Sequence, residues 1–96
     1  MKAVYTEAAA RDLAEIIEYL TSEYPALVMP LQNRIQAVLT HVTSWPELAR
    51  AVTQRSNVRV APLVRYPYKI FYRVAEDTIE VVHIRHTSRR PWDDEI

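Results

Sequence analysis

The sequence contains neither glycine nor cysteine. Without glycine there is no phosphate-cradling loop of the nucleotide-binding type. Every turn must then be made by Pro, Asn, Asp or Ser, or by ordinary residues in type I geometry. Without cysteine there is no disulfide framework and no thiolate zinc site, which fits a reducing cytosol. A long apolar run is also missing. The most apolar opening stretch is interrupted by Glu7, Asp12, Glu15 and Glu18, so it makes neither a signal peptide nor a membrane span. No repeat, low-complexity tract or linker divides the chain, and 96 residues are enough for one core, so residues 1–96 are expected to form one domain in the cytoplasm.

Net charge is the last absence, and it hides an asymmetry. Residues 1–49 carry three basic and six acidic side chains, a balance of −3. Residues 50–91 carry nine basic and three acidic, a balance of +6, before Asp93, Asp94 and Glu95 close the chain. A basic half suits an anionic partner, either a nucleic acid or an acidic protein segment. A solvated, salt-bridged surface would leave the same count.

The apolar spacing predicts the elements. Lys2-Ala3-Val4-Tyr5 is a short β-prone segment, after which Thr6 suits an N-cap and Glu7 suits the first turn of a helix. Leu13, Ile16, Ile17 and Leu20 fall on one helical stripe, with Asp12, Glu15 and Glu18 off it. Pro25 fits the first turn of a second helix, whose stripe is Val28, Leu31, Ile35, Val38, Leu39 and Val42. Pro30 requires that helix to begin near it or to kink there. From Trp45-Pro46 to Asn57 the sequence is polar and reads as a loop. Val58 to Val64 then reads as one strand ending at Tyr66-Pro67, and Tyr68–Val74 and Thr78–Arg85 read as a hairpin. The expected fold is α+β, in the order β-α-α-β-β-β, with an antiparallel-rich sheet and a two-helix hairpin on one face.

A two-residue loop at Glu76-Asp77 would set the hairpin register. Val74 would face Ile79, Tyr72 would face Val81 and Ile70 would face His83, all towards the helices. The opposite face would pair Arg73 with Glu80, Phe71 with Val82 and Lys69 with Ile84, ending near His86. Apolar and basic residues mixed on an outer face suggest a binding surface, unless the tail with Pro91 and Trp92 folds over it.

The stretch Val58-Arg59-Val60…Arg65-Tyr66-Pro67-Tyr68-Lys69-Ile70-Phe71-Tyr72-Arg73-Val74, followed by Ile79-Glu80-Val81-Val82-His83-Ile84-Arg85-His86-Thr87-Ser88-Arg89, resembles the C-terminal half of ParE-type toxins of the RelE/ParE superfamily. The first helix, with Ala8…Asp12-Leu13…Ile16…Tyr19-Leu20, is similar to that family's first helix. Trp45-Pro46-Glu47-Leu48-Ala49-Arg50 resembles its Pro-x-x-Gly-Arg connection, with Ala49 where glycine is usual. The resemblance implies a type II toxin, often described as a plasmid stabilisation protein. Its partners would be a cognate ParD-like antitoxin that wraps it with an initially disordered segment, and DNA gyrase as target. No membrane partner and no cofactor are implied.

The superfamily also contains RelE-type endonucleases that cut messenger RNA on the ribosome. An RNase without a metal needs a base, cations for the phosphorane and an acid for the leaving oxygen. Arg65, Arg73 and Arg85 are the candidate cations, and His83 or His86 the proton carrier; Arg65, Arg73 and His86 are the preferred nuclease set. No tyrosine follows His86, and Trp92 can stack but cannot transfer a proton. A gyrase poison with no catalytic residues is therefore the favoured reading. Its target or antitoxin surface would comprise Lys69, Phe71, Arg73, Val82, Ile84, His86, Arg89 and Trp92. The alternatives are the endonuclease and a non-toxic partner acting only within an autoregulatory antitoxin complex. His41, His83 and His86 do not make a zinc set, since His41 lies on the second helix and no thiolate exists. The six tyrosines read as core and hairpin packing.

Overall fold

The computed structural model describes residues 1–47, 49–51 and 57–87. Strand β1 (Lys2–Tyr5) leads into helix α1 (Glu7–Glu23) through Thr6, whose Oγ1 accepts from the Ala9 N–H at 3.1 Å. A 3-10 turn, Pro25–Leu27, begins on proline, and α2 (Val28–Ser44) follows directly. Pro30 is thus the third residue of α2. A first-turn N–H has no carbonyl to reach, so the helix starts without a kink.

Strand β2 (Arg50–Ala51) lies inside the stretch expected to be loop and pairs with Val60 and Arg59 of β3 (Val58–Pro62). Strands β4 (Tyr68–Ala75) and β5 (Thr78–His86) form the expected hairpin. The order across the sheet is β1-β5-β4-β3-β2. The β1–β5 pair is parallel and the others are antiparallel, so the sheet is mixed.

Two expectations need correcting: the extent of β3, and type I geometry for every turn built without glycine. The strand stops at Pro62, and Leu63 and Val64 enter a turn closed by Tyr66 N–H to Leu63 O at 3.0 Å. Arg65 in that turn has φ 80°, and Glu76 in the hairpin loop has φ 55°. Those are left-handed conformations that glycine normally supplies, taken here by arginine and glutamate.

The core lies between the helices and one sheet face. Ala9, Leu20, Leu31, Ile35 and Leu39 pack against Leu63, Ile70, Val81 and Ile84, with Leu13 and Ile16 partly buried at the margin. A neighbouring cluster joins Val42 of α2 to Ala61, Tyr72 and Ile79. On the opposite face Val58, Val60 and Phe71 form a small cluster of their own.

Candidate functional site

The β4–β5 hairpin carries most of the residues singled out from the sequence, and a bulge decides where they point. Arg73 pairs with Glu80 and Tyr72 with Val81, as the loop length requires. Phe71 then pairs with His83 rather than Val82, so Val82 is an extra residue in β5. Beyond it the register is shifted by one: Ile70 faces Ile84, Lys69 faces Arg85 and Tyr68 faces His86.

The shift exchanges the expected faces of the strand end. Ile84 is 3% exposed in the helix-packed core, not on the outer face. His83 and Arg85, expected towards the helices, instead lie across from Phe71 and Lys69 on the outer face. His86 turns to the helix side and meets the Tyr68 ring edge-on at 5.5 Å. The outer face therefore assembles Lys69, Phe71, Arg73, Val82, His83 and Arg85. Phe71, His83 and Arg85 are buried, at 1%, 9% and 6% exposed, so Lys69 and Arg73 are the cations this face offers to solvent, the latter beside Glu80. Lys69 Nζ lies 5.7 Å from that ring's centroid, a cation–π contact. Arg73 Nε is paired with Glu80. Arg89 and Trp92, and the covering tail proposed around Pro91, lie outside the described residues.

Asp12 organises this face from α1. Its Oδ2 accepts the Ile84 N–H at 3.0 Å and lies 3.0 Å from His83 Nδ1. Strand β1 covers β5 only as far as Val81, so the next stretch of β5 edge is met by the start of α1. Thr6 Oγ1 reaches the Val81 and Val82 carbonyls at 3.0 and 3.2 Å, and Asp12 takes the following donor. A carboxylate on Nδ1 selects the tautomer with its proton there. Nε2 is then the acceptor, and the Arg85 guanidinium lies 3.4 Å from it. Sequence reasoning set Asp12 aside as an acid off the helical stripe. Its spacing, three residues after buried Ala9 and four before Ile16, was the available signal.

Two further anchors escaped the sequence reading. Arg59 Nη1 donates to the Ala49 carbonyl at 2.8 Å and to that of Glu47 at 3.3 Å. The Tyr72 hydroxyl donates to the Pro46 carbonyl at 2.6 Å. Side chains of β3 and β4 thereby hold the connection after α2. Burial pushes the Tyr72 phenol above its ordinary pKa, partly opposed by the Arg59 charge.

The three preferred nuclease residues occupy three separate places. Arg73 is on the outer face and His86 on the helix side, while Arg65 sits in the β3–β4 turn, where it lines a groove with Asn33 and Arg34 of α2. Beside His86, the tyrosines Tyr19, Tyr24, Tyr66 and Tyr68 line a second groove of about 500 Å³. Tyr19 and Tyr24 are more than half exposed, which revises their assignment to packing. Among the described residues no group of three His, Cys, Asp or Glu side chains could hold a metal. No helix among them is long and apolar enough to cross a membrane.

Comparison with known proteins identifies the scaffold. The family profile described as the ParE toxin of the type II toxin–antitoxin system, parDE, matches residues 3–91. The chain belongs to the ParE toxin family. A protein named Toxin RelE2 from Caulobacter vibrioides is 30% identical over 86 residues, covering 90% of this chain and 94% of that one. The solved structure titled "Chromosomal ParDE TA system from P. aeruginosa" superposes with a TM-score of 0.65 at 21% identity, covering 90% of this chain and 95% of the other. The "YoeB/ParE toxin from Agrobacterium tumefaciens" superposes with a TM-score of 0.62 at 16% identity, covering 90% and 98%. These two likenesses establish the shared fold. Ala49, where a ParE connection usually has glycine, is not among the positive-φ residues, so an ordinary residue is accommodated there.

Proposed function

We propose that this ParE-family toxin arrests growth by poisoning DNA gyrase and is neutralised in the cytoplasm by a cognate ParD-like antitoxin. The engagement of His83 carries the choice of mechanism. A metal-free nuclease must move one proton from a 2′-hydroxyl and deliver another to the leaving oxygen. On the outer face, the ring that would do so has one nitrogen on Asp12 and the other facing the Arg85 guanidinium. His86 lies on the opposite side of the sheet from Arg73. A basic face carrying Lys69 and Arg73 suits binding to an anionic or acidic surface and needs no proton transfer.

The name of the Caulobacter relative favours a second reading, a RelE-type messenger RNA endonuclease. Induced expression in a sensitive bacterium, with a gyrase supercoiling and cleavage assay on the purified protein, separates the two. Growth arrest with trapped, cleaved DNA–gyrase complexes and intact transcripts is the expected result. Arrest with unaffected gyrase and messages cut at codon boundaries would replace the gyrase reading with the nuclease. Unimpaired growth would leave only the antitoxin-complex role.

A further inference from the structure

The two edges of the sheet differ in character. At one end β2 is two residues long, and its neighbour β3 closes on Pro62, which has no N–H to give. At the other end β1 is covered by β5 on one side only. An uncovered strand edge is a template for a further strand unless charge, proline or a bulge blunts it. Within β1 the one such feature is Lys2, at its first position.

The parallel register fixes which groups face outwards. The Thr6 N–H bonds to the Val81 carbonyl, so Thr6 points towards β5. Backbone groups alternate sides along a strand, so Lys2 and Val4 point the same way while Ala3 and Tyr5 point away from β5. The free edge thus carries an N–H and a carbonyl at each of Ala3 and Tyr5. Side chains divide as well. Val4 lies beside Glu80 on the outer face and is 36% exposed. Ala3 and Tyr5 lie on the helix side, where they line a groove of about 470 Å³ with Gln36, Leu39, Thr40 and Thr43 of α2.

This arrangement is self-complementary. Two copies of β1, antiparallel about a two-fold axis at Val4, set Ala3 opposite the partner's Tyr5 and Tyr5 opposite the partner's Ala3. Both are hydrogen-bonded pairs, so every outward backbone group is matched. Val4 meets its own equivalent at the close, non-hydrogen-bonded position, apolar against apolar. Lys2 meets the partner's Thr6, so no like charges stand opposite each other. The large Tyr5 ring falls over the small Ala3 methyl of the other copy, beside a groove in which Lys2 is the only charged side chain among the described lining residues. A foreign strand would have to match this small–large spacing, whereas a second copy has it by symmetry.

We propose that β1 is a homodimerisation edge: two copies of this chain pair through Ala3 and Tyr5 about Val4, joining two five-stranded sheets into one. The two-fold stands perpendicular to the sheet, so both outer faces, each with Lys69 and Arg73, lie on the same side. Pairing consumes the edge it needs, which closes the assembly at two copies. The contact is small, so the dimer is weak and concentration-dependent. It holds whichever target the toxin has.

Sedimentation of the purified full chain over a concentration series tests this, together with amide exchange followed by NMR. The mass should rise from 11.2 kDa towards twice that value, and the Ala3 and Tyr5 amides should become protected over the same range. Ala3→Pro deletes an outward donor without touching the bonds of Val4 and Thr6 to β5, and an edge strand tolerates proline. Val4→Lys sets two like charges opposite each other at the axis. Each variant should raise the dimer dissociation constant about tenfold or more. Met29→Lys, on α2 two turns before Gln36 and 62% exposed, should leave it within about twofold. Thermal melting of the dilute variants verifies their fold, and Val4→Lys carries the test if Ala3→Pro does not fold. A chain that stays at 11.2 kDa up to its solubility limit would overturn the proposal. So would a dimer indifferent to Val4→Lys, one whose Tyr5 amide exchanges freely, or growth beyond two copies. Antitoxin binding weakened by Ala3→Pro, with the free chain monomeric throughout, would give the edge to an antitoxin strand instead.

Discussion

Glu76 has φ 55° in a loop where glycine would be unstrained. A left-handed residue with a Cβ costs about 1–2 kcal/mol, partly offset by the larger entropy glycine loses on folding. Glu76→Gly is therefore expected to raise stability by up to about 1 kcal/mol, read from the urea midpoint. An unchanged or lowered midpoint would show that local contacts of the glutamate outweigh the strain. The loop position was legible from Ala75-Glu76-Asp77, but its torsion was not, since no glycine marks it. Tyrosine chemistry gives a pH signature at the same scale. Burial raises the pKa of Tyr5, Tyr68 and Tyr72. The folded state holds these phenolic protons more tightly than the unfolded chain, so their stabilisation is complete below about pH 10. It is lost as pH rises through the folded values. Melting temperature should decline in alkali, and Tyr72→Phe should flatten the decline. That variant should also lose about 1 kcal/mol at neutral pH, with the Pro46 carbonyl left without its hydroxyl donor.

Among the elements, α1 does more than supply an apolar stripe, because Asp12 anchors both its packing and the edge of β5. Asp12→Ala should cost about 2–3 kcal/mol, as it removes a charged acceptor from the Ile84 N–H and from His83. Heteronuclear NMR of the His83 ring would report the loss through its Nδ1 signal. An unaltered ring signal would contradict the assigned tautomer. The two helix stripes are not equivalent in depth. Ile35 is buried in the main core and Leu13 lies at its margin. Ile35→Ala should cost about 2–5 kcal/mol and Leu13→Ala less, by chemical denaturation. Equal costs would mean that α1 is packed as tightly as α2. Periodicity identified both stripes, whereas their relative burial depends on where the sheet ends beneath each helix.

The molecule as a whole divides its surfaces. Helices fill one face of the sheet, Lys69 and the Arg73–Glu80 pair lie on the other around buried Phe71, and a groove whose described lining is mainly apolar follows α2 and β3. Arg73→Ala should weaken growth arrest, yet shift stability by less than about 1 kcal/mol, since its pair with Glu80 is part-exposed. Growth on induction and a thermal melt measure the two effects separately. A variant that unfolds would mean Arg73 serves the hairpin, and one that stays fully toxic would remove it from the target surface. The candidate surface was partly legible in the sequence: Lys69, Phe71 and Arg73 alternate along β4, and alternation in a strand needs no tertiary information. The membership of β5 was not, because one extra residue changes the face of everything after it.

Sequence alone determined the helices, the hairpin, the β-α-α-β-β-β order apart from the short strand β2, and the resemblance to a toxin family. Those depend on local spacing: a 3.6-residue period, a two-residue alternation, and a proline in a first helical turn. Only the tertiary structure decided the parallel β1–β5 pair, the bulge at Val82 and the sides taken by His83, Ile84, Arg85 and His86. The bulge leaves one residue outside the ladder, a local cost with no signature in the strand's own pattern. In the folded chain it is offset by burying Ile84 against the helices and by bringing the Ile84 N–H to Asp12, 72 positions away in sequence. Contacts at that separation exist only once the chain has closed on itself.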